Sequence, residues 1–314
     1  MADRHELRAY TSAYAKINLD LRVIAREDTG FHQIETIFQR ITLADRVSVN
    51  VRPGAGVSLL CNRDVGVPEE QNLAWRAAAV YRHAASWPSV DHGIDIALEK
   101  EIPTGAGLGG GSADAGAVLR ALNALNPKPI APHALLTAAA TLGADVPFLA
   151  SEAVTALAWG RGERMLVLPA PPQRLLRLAQ FREGVNTAAA YRALAAARTA
   201  GDIASPASEL HDVPRLTSWS ELHRYARNDF EAPVFAMRPD IAAVHASMTA
   251  AAPGVLVRMS GSGASVFAVT NDHGDALMAA ALAWPKDWDV ALTLAATLET
   301  LPPVQILSGT SGPR

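Results

Sequence analysis

The chain has 314 residues, 49% hydrophobic and 19% charged, with a formal net charge of −3. This composition supplies enough apolar surface for a packed core and excludes a disordered chain, while the slightly acidic balance leaves no basic field for nucleic-acid phosphates, so no nucleic-acid partner is expected. A single cysteine, Cys61, excludes an internal disulfide and a cysteine-based metal cluster; no membrane span or signal peptide is read, so the expected location is the cytoplasm. At roughly 100–200 residues per domain the length favours two domains. Only four of the 28 basic residues are lysines, Lys16, Lys100, Lys128 and Lys286, so each lysine stands against the local habit.

In chain order, residues 8–60 read mostly as strands. Ile17–Val23 alternates apolar and polar residues, as does Val47–Val51, with a polar turn at Arg26–Gly30. Asn72–Ser86 reads as a helix with Leu73, Ala77, Val80, Tyr81 and Ala84 on one stripe, and Gly93–Leu98 as a short strand. A helix is predicted from about Ser112 to Leu125, stopped by Pro127 and Pro129, and another over His133–Leu142 with Gly143 as its C-terminal cap. Pro169–Pro172 is the candidate boundary between domains 1–168 and 169–314. Beyond it, Thr187–Arg198 and Pro239–Ala252 read as helices, with Gly254 where the C-cap glycine of the second should be. Val255–Arg258 and Ser265–Val269 read as strands joined by a Gly-Ser-Gly turn, and Ser308–Arg314 as a frayed tail. Strands and helices mix without a regular βαβα alternation, which favours an α+β fold.

The strongest local signal is Pro103-Thr104-Gly105-Ala106-Gly107-Leu108-Gly109-Gly110-Gly111-Ser112-Ala113, between a strand and a helix. Five glycines in the seven positions 105–111 leave the backbone N–H groups open to an anion, and the helix that follows adds its positive end. A Walker A loop would need a lysine before the serine and has none here. Gly105-x-Gly107-x-x-Gly110 fits the dinucleotide fingerprint, but no second strand ending in an acidic residue follows at the right distance. Protein-kinase signatures are absent. A tight helix–strand turn without a ligand is the bland alternative; five glycines exceed what packing needs.

Two charged residues sit in apolar surroundings. Lys16 lies in a strand-like run and Asp145 in Gly143-Ala144-Asp145-Val146-Pro147-Phe148. Each has a bland reading, a snorkelling edge-strand lysine and a turn or N-cap aspartate. Together they would serve phosphoryl transfer to an alcohol, the aspartate accepting or steering the hydroxyl proton and the lysine countering charge. Arg258–Ser265 forms a second small-residue turn, either a plain hairpin or a wall over a substrate. His32, taken alone, reads as an exposed loop histidine.

Taken together, Ala15–Leu19, Gly30–Thr36, Pro103–Ala113, Gly143–Phe148, Asn228–Glu231 and Met259–Gly263 resemble the GHMP kinase superfamily, over roughly residues 13 to 269. The Ala-Lys-Ile-Asn-Leu and Gly-Phe-His pieces resemble the branch that acts on a cytidine diphosphate-linked polyol. The resemblance implies ATP as phosphoryl donor, with magnesium accompanying it through ligands that cannot be named from the sequence. It implies Asp145 as the base, Lys16 as its electrostatic partner and residues 103–113 as the phosphate cradle. Asn18 and His32 would lie near the substrate, His32 reading the cytosine edge and Phe31 stacking on the ring. It also implies a ribosomal-S5-domain-2-like N-terminal half and a ferredoxin-like C-terminal half.

Four departures from the family pattern stand out. Phe31 replaces the usual Tyr, which keeps a stacking ring but loses a hydroxyl. Ser112-Ala113 replaces Ser-Ser, Tyr14 stands where proline is usual, and Gly116 falls inside the loop's helix, where it should weaken the helix by about 1 kcal/mol relative to Ala. The rival functions are another kinase of the superfamily (mevalonate, homoserine or sugar), a nicotinamide oxidoreductase built on the Gly105–Gly110 fingerprint, and a non-catalytic ATP-binding module.

Overall fold

The computed structural model describes residues 7–28, 30–87, 92–201, 212–270, 282 and 284–308. Strand β1 (Leu7–Arg26) turns back through residues 27–31 into β2 (His32–Arg52), so Val47–Val51 is the far end of a much longer strand than its alternation suggested. The polar turn is closed by Glu27 N–H to the Phe31 carbonyl, 2.8 Å, and Gly30 N–H to the Glu27 carbonyl, 2.9 Å. The chain continues through β3 (Val57–Cys61), α1 (Leu73–Ala84), β4 (Gly93–Glu99), α2 (Gly110–Leu125), α3 (Pro132–Ala140), α4 (Val146–Ala150), β5 (Thr155–Gly160) and β6 (Arg164–Val167). In the second half come β7 (Leu175–Phe181), α5 (Thr187–Ala200), α6 (Val213–Leu216), α7 (Trp219–Tyr225), α8 (Glu231–Met237), α9 (Pro239–Ala251), β8 (Leu256–Met259), β9 (Val266–Val269), β10 (Val290–Ala296) and β11 (Gln305–Ser308).

Seven strands form the first sheet, in the order β11-β1-β2-β4-β3, with β5 on the opposite end of β2 and β6 beside β5. β2 reaches both groups because it is long: residues 34–39 pair with β5 and 46–52 with β4. Only β3–β4 is parallel. The second sheet is antiparallel, β10-β7-β9-β8. The mixture is the α+β architecture expected from the sequence.

Helix α2 lies at the centre of the first half, packed on β1, β2, α1 and α4 and buried nearly all round. Gly116 is there for that packing. A Cβ at this position would lie 2.8 Å from the Ala150 nitrogen and closer still to the Leu149 carbonyl, so the glycine lets the backbone of α4 rest on α2. Its cost in helix propensity is offset by a close approach that no larger residue permits. Buried Arg40 holds the chain at the C-terminal end of α4 and just beyond it: it donates to the carbonyls of Phe148 at 2.8 Å, Ser151 at 2.9 Å and Ala153 at 2.8 Å.

The halves meet along β1. Leu21 N–H donates to the Arg227 carbonyl, 2.8 Å, and Asp229 N–H to the Leu21 carbonyl, 3.0 Å; Leu21 and Val23 belong to the second hydrophobic core with α5, α8 and α9. Several local expectations shift. On α1, Ala77 and Tyr81 are buried as expected and are joined by Ala74 and Ala78, whereas Ala84 is exposed because the helix ends there. Helix α3 closes at Ala140 with Thr141 as its cap residue and α9 at Ala251 with Ala252, each earlier than the sequence suggests, so neither Gly143 nor Gly254 is the C-cap. Ser308, expected in the tail, instead ends β11, paired with Leu7; the rest of that expectation, residues 309–314, lies outside the described residues.

Candidate active site

Lys16 comes from β1, between two irregularities in the β1–β2 register, at Tyr14/Lys16 and Asn18/Asp20. Such bulges re-aim side chains. The lysine is 4% exposed, so it is not a snorkelling edge residue. Its Nζ donates to Asn18 Oδ1 at 2.7 Å and lies 3.5 Å from Asp145 Oδ2. Asn18 is fixed in turn, donating from Nδ2 to Thr36 Oγ1 at 2.8 Å, while Thr36 Oγ1 donates to the Asp20 carbonyl at 2.6 Å. Asp145 stands at the N-cap position of α4, yet its side chain accepts no capping bond. With its side chain 29% exposed, the carboxylate is open to a ligand, unlike the lysine beside it.

The glycine loop runs over this pair. Lys16 N–H donates to the Leu108 carbonyl at 3.0 Å. Gly105, Gly107 and Gly109 all adopt left-handed backbone, and Gly109 is the N-cap of α2 with no side chain bonding the first N–H groups. Those groups are free to face an anion. Gly107 is doubly required: its φ is +78°, and a Cβ there would press on the carbonyls of Ser260 and Gly263. The second small-residue turn is therefore the wall against which the loop rests. Ser260 Oγ donates to the Gly107 carbonyl at 2.9 Å, and Asn228 Nδ2 ties that wall down through the carbonyls of Met259, 2.7 Å, and Gly261, 2.8 Å.

Three cavities meet here. A small one, about 200 Å³, holds Lys16, Asn18 and Asp145 together with Gly107, Gly109 and Gly261. It shares Gly107 and Gly109 with a second of about 360 Å³, lined by Pro103–Gly107, Gly109–Ser112 and apolar residues including Val65, Val67 and Leu73. It shares Thr187 and Tyr191 with a third of about 1050 Å³ that contains Phe31 and His32. Of the predicted loop residues, Leu108 and Ala113 turn their side chains into the core, so only their backbone can serve a ligand.

Phe31 and His32 line the large cavity and not the small one that holds Lys16. His32 stacks on Tyr191, ring centroids 4.1 Å apart at 19°, and Tyr191 meets Phe230 edge-on at 4.8 Å. Burial, then the charges of Arg26 and Arg198, lower the His32 pKa, so the ring is neutral at pH 7 and offers one donor and one acceptor. Burial, then the Asp145 charge, pushes the Tyr191 phenol up to about 12, so the tyrosine stays neutral too. Phe31 is exposed, with the Arg161 guanidinium 3.9 Å over its ring. Tyr191 lies in a segment whose helix reads from its alanines; as one of five tyrosines in an aromatic-poor chain it carries only a weak signal in the sequence. Lys100, already conspicuous by type, lies beneath the loop between Asp45 and Asp114.

The chain matches family models described as GHMP kinases N terminal domain, over residues 72–153, and GHMP kinases C terminal, over residues 209–286. It is 39% identical to 4-diphosphocytidyl-2-C-methyl-D-erythritol kinase of Moorella thermoacetica, covering 83% of this chain and 89% of that one. The chain belongs to this kinase family. The member from a Synechococcus species is 40% identical over 82% of this chain and 83% of its own length. A crystal structure of 4-(cytidine 5'-diphospho)-2C-methyl-D-erythritol kinase superposes with a TM-score of 0.68 at 35% identity, covering 92% of this chain and 98% of that one. Homoserine kinase from Cytophaga hutchinsonii shares the fold, TM-score 0.64, at 18% identity over 98% and 99% of the two chains. Family membership makes the protein a GHMP-type kinase, with ATP as phosphate donor, and removes the oxidoreductase reading. Among the described residues no helix is long and apolar enough to cross a membrane.

Proposed function

We propose that this protein transfers the γ-phosphoryl group of ATP to the 2-hydroxyl of 4-diphosphocytidyl-2-C-methyl-D-erythritol, in the non-mevalonate route to isoprenoid precursors, in the cytoplasm. The observation that carries the reading is the position of Lys16, Asn18 and Asp145, in a small cavity between the glycine-loop cavity and the one holding Phe31, His32 and Tyr191. A donor bound on one side and a nucleotide-linked alcohol on the other would meet at Asp145. In this reading residues 1–168 are the ATP-binding half and residues 169–314 the substrate-side half, with β11 returning to the first sheet.

The chemistry then follows from the side chains. The loop N–H groups and the start of α2 hold the ATP phosphates and fix the γ-phosphorus. Asp145 accepts or steers the proton of the attacking hydroxyl. The hydroxyl oxygen forms its bond to the γ-phosphorus as the bond to the β–γ bridging oxygen breaks, and ADP leaves. Lys16, 3.5 Å from Asp145, counters its charge and faces the charge on the transferring phosphoryl oxygens. Asn18, held by Thr36, fixes Lys16 and can hydrogen-bond the polyol. Neutral His32 can pair with the donor and acceptor of a cytosine edge, and Phe31 and Tyr191 offer ring faces to the base.

Magnesium would enter with ATP. No group of three or more His, Cys, Asp or Glu with metal-binding geometry occurs among the described residues. The ion would be held mainly by phosphates and water, with Asp145 the acidic side chain that lines the small cavity beside the loop. Its chemical contribution is to neutralise phosphate charge.

The test is ADP release with diphosphocytidyl-methylerythritol, mevalonate, homoserine and galactose offered in parallel. Turnover with the cytidine substrate alone is expected. Turnover with another alcohol instead would keep the loop and Asp145 and discard the roles given to Phe31, His32 and Tyr191.

A further inference from the structure

Beneath the glycine loop lies a charged cluster that the phosphoryl-transfer chemistry leaves unused. Lys100, from the segment after β4, donates to Asp45 on β2 and to Asp114 on α2, the latter at 2.5 Å. All three side chains are buried: Lys100 is 6% exposed, Asp45 0% and Asp114 2%. Asp45 is saturated, since its Oδ1 also accepts the backbone N–H groups of Glu101, 2.5 Å, and Ile102, 2.8 Å. Asp114 is not: its Oδ1 is buried and has no hydrogen-bond partner. Lys100 and Asp114 both line the cavity of the glycine loop, and a Cβ on Gly110 would lie 3.5 Å from Lys100 Nζ. The cluster therefore sits immediately under the first turn of α2, where the phosphates are expected.

One lysine shared by two ionised carboxylates leaves a buried net charge of −1 below a site that must accept a polyanion. A buried charge is weakly screened and acts over several ångströms. A proton on Asp114 would bring the cluster to neutrality, and the orphaned Oδ1 is where it would sit. We propose that Asp114 is a positioning residue for ATP that takes up a proton as the nucleotide binds, so that the Asp45–Lys100–Asp114 cluster is neutral beneath the occupied loop. Burial, with Asp45 adding to it and Lys100 opposing it, raises the Asp114 pKa to about 7, so the proton is exchangeable near neutral pH. The charged groups facing Asp114 are Lys100 and Asp45; its own helix places no other ionisable side chain in its first turn. The sign follows. Below pH 7 the cluster is already neutral and ATP binds without proton uptake; above it, binding must draw a proton or tolerate the repulsion, so affinity falls.

The inference rests on the reading of the loop as the ATP site. Its test compares wild type with Asp114→Asn, a neutral isostere, in KM for ATP from pH 6 to 8.5, with folding checked by thermal melting. The nucleotide's own titration is common to both proteins and cancels. Wild-type KM for ATP should rise across this range about three- to tenfold more than that of the variant, the scale of one charge at close range, and KM for the polyol should not follow. Calorimetry of ATP binding at pH 7.5, in two buffers of different ionisation enthalpy, should show proton uptake by wild type. Parallel pH profiles in folded wild type and variant, or a higher KM for ATP in the variant at every pH, would overturn the proposal. Should the variant not fold, absence of wild-type uptake would overturn it alone. No ATP binding at any pH would instead refute the reading of the loop itself.

Discussion

Replacing Gly116 with alanine separates two lines of reasoning, because they differ in sign. From the sequence, a glycine inside a helix costs about 1 kcal/mol, so Gly116→Ala should stabilise the protein. In the folded chain the new Cβ would stand 2.8 Å from the Ala150 nitrogen and closer to the Leu149 carbonyl. These are backbone atoms, which cannot rotate away as a side chain can. Restoring ordinary contact requires α4 to retreat by roughly 1 Å, and overpacking of this kind costs about 1–3 kcal/mol, with the upper end apt for a rigid neighbour. The net expectation is a loss of about 1–2 kcal/mol after the propensity gain. The retreat also reaches the chemistry, since Asp145 immediately precedes α4 and lies 3.5 Å from Lys16. Misplacement on that scale can reduce turnover by about 10²-fold. Urea unfolding and steady-state ADP release on the same preparation test both arms. A variant more stable than wild type with unchanged kcat would refute the close approach of α4 to α2 and the dependence of Asp145 on it.

Asp145→Asn should fold and bind ATP but lose at least about 10²-fold in kcat, the usual scale for a proton-transfer group; undiminished turnover would remove Asp145 from the reaction. His32→Ala should raise KM for the cytidine substrate far more than KM for ATP, and equal effects on both would reject the cytosine role. Glu231 provides a stability test: burial pushes its carboxyl up to about 7, against the opposing Arg258 charge and the Met259 N–H bond. Because the folded pKa exceeds the unfolded value, stability falls as pH rises from about 4.5 to 7, and Glu231→Gln should gain in Tm relative to wild type at pH 8 but not at pH 5; a pH-independent difference would contradict this.

Lys16, Asp145 and the loop were legible because each breaks a local rule. A lysine inside an apolar strand, an aspartate before an apolar helix turn and five clustered glycines are all unexplained by packing alone. What was hidden depends on partners distant in the chain. Nothing near Gly116 shows that Leu149 will rest on it, and nothing near Gly107 shows that Ser260 will. Tyr191 sits on an alanine-rich helix whose importance comes only from where α5 meets the cavity. The length of β2 was also out of reach, because its two ends pair with different strands and its alternation is clear at only one. Asn228 belongs to the Asn228–Glu231 motif, but its work of tying down the 259–261 turn shows only in the fold.

The position of β11 bears on how the protein is made. Residues 305–308 complete the first sheet by pairing with residues 7–10, while the whole second sheet is encoded between them. During synthesis Leu7–Tyr10 can pair with β2 on one side, but their outer edge must wait until residues 305–308 have emerged. Local hairpins such as β1–β2 can form early, but the sheet that carries Lys16 gains β11 only after the strands of the second sheet have been made.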